Sequence, residues 1–290
     1  MPLNKDSLPN TFLVATVLCL FCAFVVSAAS VTLRPLQLEN AQKDRRNNIL
    51  QVSGFTPEEI EESGGIKEVF ESRFDVKIID LDTGQDAEAD CQAAMNKAKD
   101  KEVNLGEEYD QLWASKLNPD KGLSEKLDKK TDVCGIKSRE KFSEVFIMKS
   151  SAGEPELYVF PVRGNGLWSL MQGYLAVKPD FQTVVGLTFY QQAETPGLGG
   201  EVQNPDWKAL WKDKKIYDDG EVKLAVIKGN KAGNAYGVDA LSGATITSNG
   251  VTNMIDFWMG DKGFGPYINE MKKQDSSQIK TEAAGGNNVK

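Results

Sequence analysis

Histidine is absent from the 290-residue chain. Without it no His-based catalytic triad, His-held haem or His-ligated zinc site can be assembled. Cysteine is scarce: there are four, and two of them, Cys19 and Cys22, lie in a long apolar run. The other two, Cys91 and Cys134, are too few for an iron–sulfur cluster or a four-cysteine zinc site. They could pair in an oxidising compartment, but the sequence does not show that they meet. Basic charge is in deficit, with 34 Lys and Arg against 42 Asp and Glu, a net charge of −8. That balance opposes general nucleic-acid binding, which needs a basic face. No metal-ligating set and no acid–base or nucleophile constellation emerges, so neither a metal ligand nor a catalytic residue is expected.

What the chain does have is a membrane-length apolar segment. Thr11 to Leu33 (TFLVATVLCLFCAFVVSAASVTL) carries no charge over 23 residues, and about 20 suffice to cross a bilayer. A cleaved signal peptide is the rival reading, since Val26-Ser27-Ala28 offers small residues for cleavage. The single preceding Lys5 and the length of the run favour a retained single-span anchor. Arg34, Lys43, Arg45 and Arg46 follow it. Their count favours a cytoplasmic C-terminal side, but large domains translocate largely regardless of charge. Sidedness stays open on charge alone.

The remaining organisation follows composition and period. Residues 1–10 form a short tail and 34–141 a juxtamembrane helix followed by a polar helical region. Ser53-Gly54 ends the first helix, and Thr56-Pro57-Glu58-Glu59 reads as a new helix start. Phe74 to Leu81 alternates as a strand should. Within 82–141, Cys91, Ala94, Met95 and Ala98 share a helical face; this stretch reads as a solvated surface insertion without chemistry. Over 142–273 the character is β with flanking helices. Strands are predicted over Glu144–Lys149, Glu156–Val162, Trp168–Val177, Thr183–Tyr190 and Val222–Lys228. A short helix is predicted at Trp207–Trp211 and an amphipathic one at Gly250–Met259, where Val251, Met254, Ile255 and Trp258 are spaced i, i+3, i+4, i+7. Residues 274–290 are polar and small, a disordered tail.

The richest chemistry lies between a strand and that last helix. Asp239-Ala240-Leu241-Ser242-Gly243-Ala244-Thr245-Ile246-Thr247-Ser248 gathers four hydroxyls at a helix start. A helix N-terminus has unpartnered N–H groups and a positive dipole end, so it attracts anions such as phosphate. One N-cap accounts for one hydroxyl, not four. Two further turns stand out. Glu194-Thr195-Pro196-Gly197-Leu198-Gly199-Gly200 has three glycines, where a ligand ring could approach the backbone. Gly164-Asn165-Gly166-Leu167-Trp168-Ser169 sets an aromatic after a glycine turn, and taken alone Trp168 reads as core.

Together these motifs resemble the FMN-binding domain family. In that family a D-x-x-[S/T]-G-A-[S/T] pattern holds FMN covalently, as a phosphoester to the last hydroxyl residue. Here the pattern falls on Asp239, Ser242, Gly243, Ala244 and Thr245. Within the family the likeness is to the C subunits of sodium-translocating NADH:quinone reductases. RNNILQVSGF (46–55), GNGLWS (164–169), ETPGLGGEVQNPDW (194–207), GVDALSGATITSNGV (237–251) and DFWMGDKGFGPY (256–267) carry it, in order and at suitable spacing.

The resemblance implies an α+β chain: one N-terminal transmembrane helix, then an FMN-binding domain with an antiparallel sheet and flanking helices. It implies one covalent FMN per chain on Thr245, with Ser242, Gly243, Ala244 and Thr247 near the phosphate. Glu194, Thr195, Leu198, Leu167 and Trp168 are implied as flavin surroundings. A flavin transferase, reading the motif from Asp239, is implied to attach the FMN part of FAD with Mg²⁺. Because such transferases act outside the cytoplasm, the domain is expected on the periplasmic side of a bacterial inner membrane. Other membrane subunits of the reductase are the expected partners, in a sodium-exporting relay of electrons from NADH toward quinone. Two alternatives compete. The homologous G subunit of the Rnf ferredoxin:NAD complex usually has a histidine before the ETPGLG turn, where this chain has Tyr190-Gln191-Gln192-Ala193. A membrane-anchored scaffold without cofactor would use 242–248 merely to cap a helix.

Overall fold

The computed structural model describes residues 8–99 and 109–274. Residues 1–7, 100–108 and 275–290 lie outside the described part, and with them most of the expected N-terminal tail and of the expected disordered tail. The chain divides into two units, Met1–Asn47 and Asn48–Lys290.

The described part of the first unit belongs to α1 (Leu8–Val52), a 45-residue helix. It is long and apolar enough to cross a membrane, and none of its most apolar window is buried within the protein. Apolarity all round the helix, with no polar stripe, is what a lipid-facing segment requires. Pro35 lies inside α1, beyond the span.

The second unit begins with the last turn of α1, where Ile49 and Leu50 are fully buried. Gly54, at φ +100°, ends the helix in a conformation open to glycine. Helix α2 (Pro57–Glu62) then starts with a capping box: Thr56 Oγ1 accepts from the Glu59 N–H, and the Glu59 carboxylate accepts from the Thr56 N–H. Helix α3 (Ile66–Arg73) leads into β1 (Phe74–Asp80).

Five antiparallel strands form the central sheet. They are β1, β4 (Phe142–Lys149), β5 (Pro155–Asn165), β6 (Leu170–Val177) and β7 (Val184–Gln191), in spatial order β1-β4-β5-β6-β7. Both faces are covered. Val145, Ile147, Tyr158, Phe160 and Leu175 point to one core, and Phe146, Met148, Val159, Tyr174 and Ala176 to the other. This period-two division explains why the strands are nearly continuously apolar rather than half polar. The second core also holds Ile49, Leu50, Val69, Phe70 and Phe74. Because β1 pairs with β4 from Phe74↔Met148 to Asp80↔Phe142, the sheet runs across the boundary expected at 141/142.

The polar stretch between β1 and β4 has a small core of its own. Helix α4 (Glu88–Lys99) and helix α5 (Gln111–Ser115) contribute Cys91, Met95, Ala98 and Ala114, which pack with Phe142. A short hairpin of β2 (Ser124–Lys126) and β3 (Ser138–Glu140) follows. Cys91 and Cys134 are free thiols in different clusters. Burial, helped by Glu144 near Cys91 and Asp132 near Cys134, pushes both up to about 12, so neither is a thiolate at neutral pH.

After the sheet, a 3-10 turn (Gly199–Gln203) and helix α6 (Pro205–Ala209) precede two small strand pairs. These are β8 (Tyr217–Asp218) with β9 (Glu221–Val222), and β10 (Ala225–Ile227) with β11 (Gly237–Asp239). The single strand expected over Val222–Lys228 is thus split. The Lys223 and Leu224 N–H groups both turn to the Ile216 carbonyl, at 2.8 and 3.2 Å, which breaks the ladder. Helix α7 (Thr245–Met259) packs on β5 and β10, and a last helix, α8, covers 265–274. Gly250 sets how close α7 comes to the β5–β6 hairpin: a Cβ there would lie 2.3 Å from the Asn165 carbonyl oxygen.

One buried ion pair ties these pieces together. Arg163 on β5 and Glu140 on β3 form a two-pronged pair with both side chains buried. The Arg163 guanidinium lies 4.9 Å from the centre of the Trp258 ring, whose Nε1–H donates to the Arg163 carbonyl at 2.7 Å. Removing one partner of such a pair strands the other charge in the core, at a cost of about 3–5 kcal/mol. Glu140→Gln is expected to lower unfolding stability by about that amount, measured by urea unfolding of the detergent-solubilised chain. A loss below about 1 kcal/mol would show that the pair does not hold the hairpin to the sheet.

Candidate flavin site

Three segments singled out in the sequence meet at the N-terminus of α7. The β5–β6 turn (164–169), the loop after β7 (194–200) and residues 239–248 are joined by one carboxylate. Glu194 is 5% exposed. Its Oε1 accepts from the backbone N–H groups of Trp168 at 2.9 Å and Ser169 at 3.1 Å, and from the Ser169 hydroxyl at 3.4 Å. Its Oε2 accepts from the Leu167 N–H at 3.0 Å and from the Thr247 hydroxyl at 2.6 Å. No Lys or Arg pairs with it among the described residues. Burial alone would raise its pKa. The Thr247 hydroxyl and the Trp168, Leu167 and Ser169 N–H groups outweigh that and hold it below the usual carboxylate range. The Glu194 bonds are therefore fully formed at neutral pH and are lost only as pH falls through that lowered value.

The glycines of the two loops serve this carboxylate. A Cβ at Gly166 would lie 2.6 Å from Glu194 Oε1, and one at Gly199 would lie 2.5 Å from Thr247 Oγ1 and 2.8 Å from Glu194 Oε2. Neither glycine needs its conformational freedom here; each makes room. Gly243 differs: its φ of +70° is the left-handed region, and it turns the chain into α7 with Leu198 against it. Sequence reasoning misses Ser169. Its N–H donates to Glu194, and its hydroxyl accepts from the Ala193 N–H at 2.8 Å. It misses Gln192 as well, whose side-chain oxygen accepts from the Glu194 N–H at 2.6 Å. The only trace of either in the sequence is a polar side chain beside a glycine turn.

The four hydroxyls at the start of α7 separate into two pairs. Thr247 and Ser248 are buried, at 1% and 2% exposure. The first donates to Glu194, and the second accepts from the Leu241 N–H at 3.1 Å. Ser242 and Thr245 are exposed. No side chain caps the helix at Ala244, so its first-turn N–H groups lack an intrahelical acceptor. Asp239 is exposed, and its carbonyl is fixed by the Trp207 Nε1–H at 2.8 Å. The same three segments leave large apolar side chains open to solvent: Leu167, Trp168, Leu198 and Ile246, with Trp168 71% exposed. Trp168 is therefore not core, the reading it has in isolation. Thr195 is exposed too, and its carbonyl accepts from the Leu198 and Gly200 N–H groups. The motif surface is open rather than enclosed. A cleft of about 650 Å³ lies instead between Leu117, Leu127, Ile136 and Leu170, beside Arg163.

The tightness at the two glycines is directly testable. Gly166→Ala and Gly199→Ala should each displace the Glu194 carboxylate and lower stability by about 1–3 kcal/mol, whereas Gly197→Ala meets no neighbour within 4 Å and is strained only by its φ of +74°. Thermal unfolding of the three variants checks this. Unchanged stability in both Gly166→Ala and Gly199→Ala would mean that the loops do not close on the carboxylate.

Comparison with known proteins agrees with the geometry. Residues 166–260, which contain all three segments apart from the first two residues of the β5–β6 turn, match the FMN-binding domain family. Over 270 residues the chain is 41% identical to the C subunit of the Na(+)-translocating NADH-quinone reductase of Pasteurella multocida, covering 93% of this chain and 96% of that one. The Vibrio anguillarum protein of the same name is 41% identical over 274 residues, covering 94% and 98%. The crystal structure of Shewanella oneidensis NqrC superposes with a TM-score of 0.65 at 32% identity, covering 80% of this chain and 99% of that chain. The α+β architecture expected from the sequence is the one observed, and these matches do not favour the Rnf protein. At this identity and coverage, the chain belongs to the family of Na(+)-translocating NADH-quinone reductase C subunits.

Proposed function

We propose that the chain is the FMN-carrying subunit of a sodium-translocating NADH:quinone oxidoreductase, one part of a larger enzyme with no complete catalytic site of its own. Helix α1 holds it to the membrane, and the other subunits of the complex are its partners. One FMN is bound per chain, as a phosphoester of Thr245. The single observation that carries the attachment is the division of the hydroxyls: Thr247 and Ser248 are buried and bonded internally, while Thr245 stands exposed in the uncapped first turn of α7. Ser242 shares that exposure, but Thr245 is the residue that ends the D-x-x-S-G-A-T pattern.

The residues present suit the group. A phosphodiester on Thr245 would leave one negative charge, facing the free N–H groups and positive end of α7. Ser242, Gly243 and Ala244 would border the phosphate, with Thr247 beneath them. Leu167, Trp168, Thr195 and Leu198 would flank the ring, and stacking on Trp168 suits a planar heteroaromatic. FMN itself supplies the electron-carrying chemistry. The chain's contribution is to tether it, orient it and fix its electrostatic surroundings, which needs neither a histidine nor a metal.

Attachment requires a separate flavin transferase. Thr245 would supply the phosphoester oxygen and release its hydroxyl proton to solvent, and FAD would supply the FMN part with AMP as the leaving group. Asp239, exposed at the head of the motif, is the recognition residue. With a transferase acting outside the cytoplasm, the flavin domain lies on the periplasmic side.

Thr245→Val keeps the β-branched shape and removes the oxygen. Co-expressed with an active flavin transferase, it should give folded, colourless protein, while Thr245→Ser should still be flavinylated. The readout is flavin fluorescence co-migrating with the polypeptide on a denaturing gel. A fluorescent Thr245→Val band would move the bond to another hydroxyl and overturn the assignment.

A further inference from the structure

Every group that faces the Glu194 carboxylate is a donor. Oε1 meets two backbone N–H groups and the Ser169 hydroxyl, and Oε2 meets one N–H and the Thr247 hydroxyl. Both oxygens must therefore accept. A carboxamide cannot replace them, because its NH₂ would oppose N–H donors whichever way it is turned. The carboxylate is buried, and the loops around it are shaped by Gly166 and Gly199 to admit it. A side chain whose task was to touch a cofactor would keep a lone pair free and face the open surface. This one faces inward, and its bonds run to 167, 168 and 169 on one side and to the first turn of α7 on the other.

We propose that Glu194 is a positioning residue: it latches the β5–β6 turn to α7 before any flavin arrives, so that Leu167 and Trp168 already stand beside Thr245. This rests on the reading of Thr245 as the attachment point. Thr247 is the helix half of the latch. A surface ordered in advance spares the flavin the entropy of ordering it, which matters for a ring tethered at one end and otherwise open to solvent.

The latch can be read with and without flavin, on the full chain in detergent. Without the transferase, hydrogen exchange of the segment 166–169 reports the latch itself. Glu194→Gln should speed exchange there by about tenfold or more, the scale of one lost charge-assisted bond, while amides of β5 and β6 keep wild-type rates. Should Glu194→Gln fail to fold, Thr247→Val removes one donor and should speed the same segment less, in the same direction. A folded variant with wild-type exchange over 166–169 would overturn the latch. With the transferase, the covalent flavin that either variant carries should show raised native emission, relative to the denatured chain, and an altered midpoint potential. Fast exchange at 166–169 with unchanged emission and potential would overturn the positioning role. If the wild-type chain takes no flavin at Thr245, the flavin reading falls, and the exchange result on the latch stands separately.

Discussion

A single buried anion organises this surface. Glu194 has no cationic partner among the described residues and is held by three backbone N–H groups and the hydroxyls of Thr247 and Ser169. Desolvating a carboxylate is costly unless its hydrogen bonds are made, so the loops cannot relax away from it without losing them. The consequences reach outward. Glycine is needed where the loops close on it, Ser169 and Gln192 brace the chain on either side, and Thr247 is drawn inward from α7. Withdrawal of Thr247 and Ser248 leaves Thr245 and Ser242 as the exposed hydroxyls of the motif. Which hydroxyls stand exposed is thus a by-product of where the carboxylate is anchored.

The scaffold under this surface is a sheet buried on both faces. Its strands are legible in the sequence, because two-sided burial demands long apolar runs bounded by turn residues, as in Glu156–Val162 and Thr183–Tyr190. Helix α7 is legible from the spacing of Val251, Met254, Ile255 and Trp258, all buried. Other features carry no local signature. The pairing of β1 with β4 joins segments far apart along the chain, Phe74 with Met148 and Asp80 with Phe142, and no periodicity encodes it. The polar stretch reads as a surface insertion, yet Cys91 and Met95 close a small core only because Phe142 is offered to them by the sheet. Gly166 and Gly199 read only as turn residues, since a sequence shows that a side chain is missing but not what fills its place. The motif marks the site, and the geometry explains its spacing.

Electrostatics divide the labour around Thr245. The negative carboxylate is buried beneath the loops, and the first turn of α7 has no side-chain cap. A phosphate joined to Thr245, as proposed, would meet the positive end of the helix first. The buried Arg163–Glu140 pair and Trp258 fix the strand that leads into the Leu167–Trp168 turn. Membrane attachment is handled apart from all this, by a helix whose span is apolar on every side.

The central claim is that Thr245, among closely spaced hydroxyls, carries the flavin. Mass spectrometry of the tryptic fragment 232–262, from protein made in membranes with an active flavin transferase, tests it most directly, because Ser242, Thr245, Thr247, Ser248 and Thr252 all lie on that one peptide. The account predicts the mass of FMN less one water, with backbone fragmentation assigning it to Thr245. An unmodified peptide, or the same mass on any of the other four residues, would contradict it.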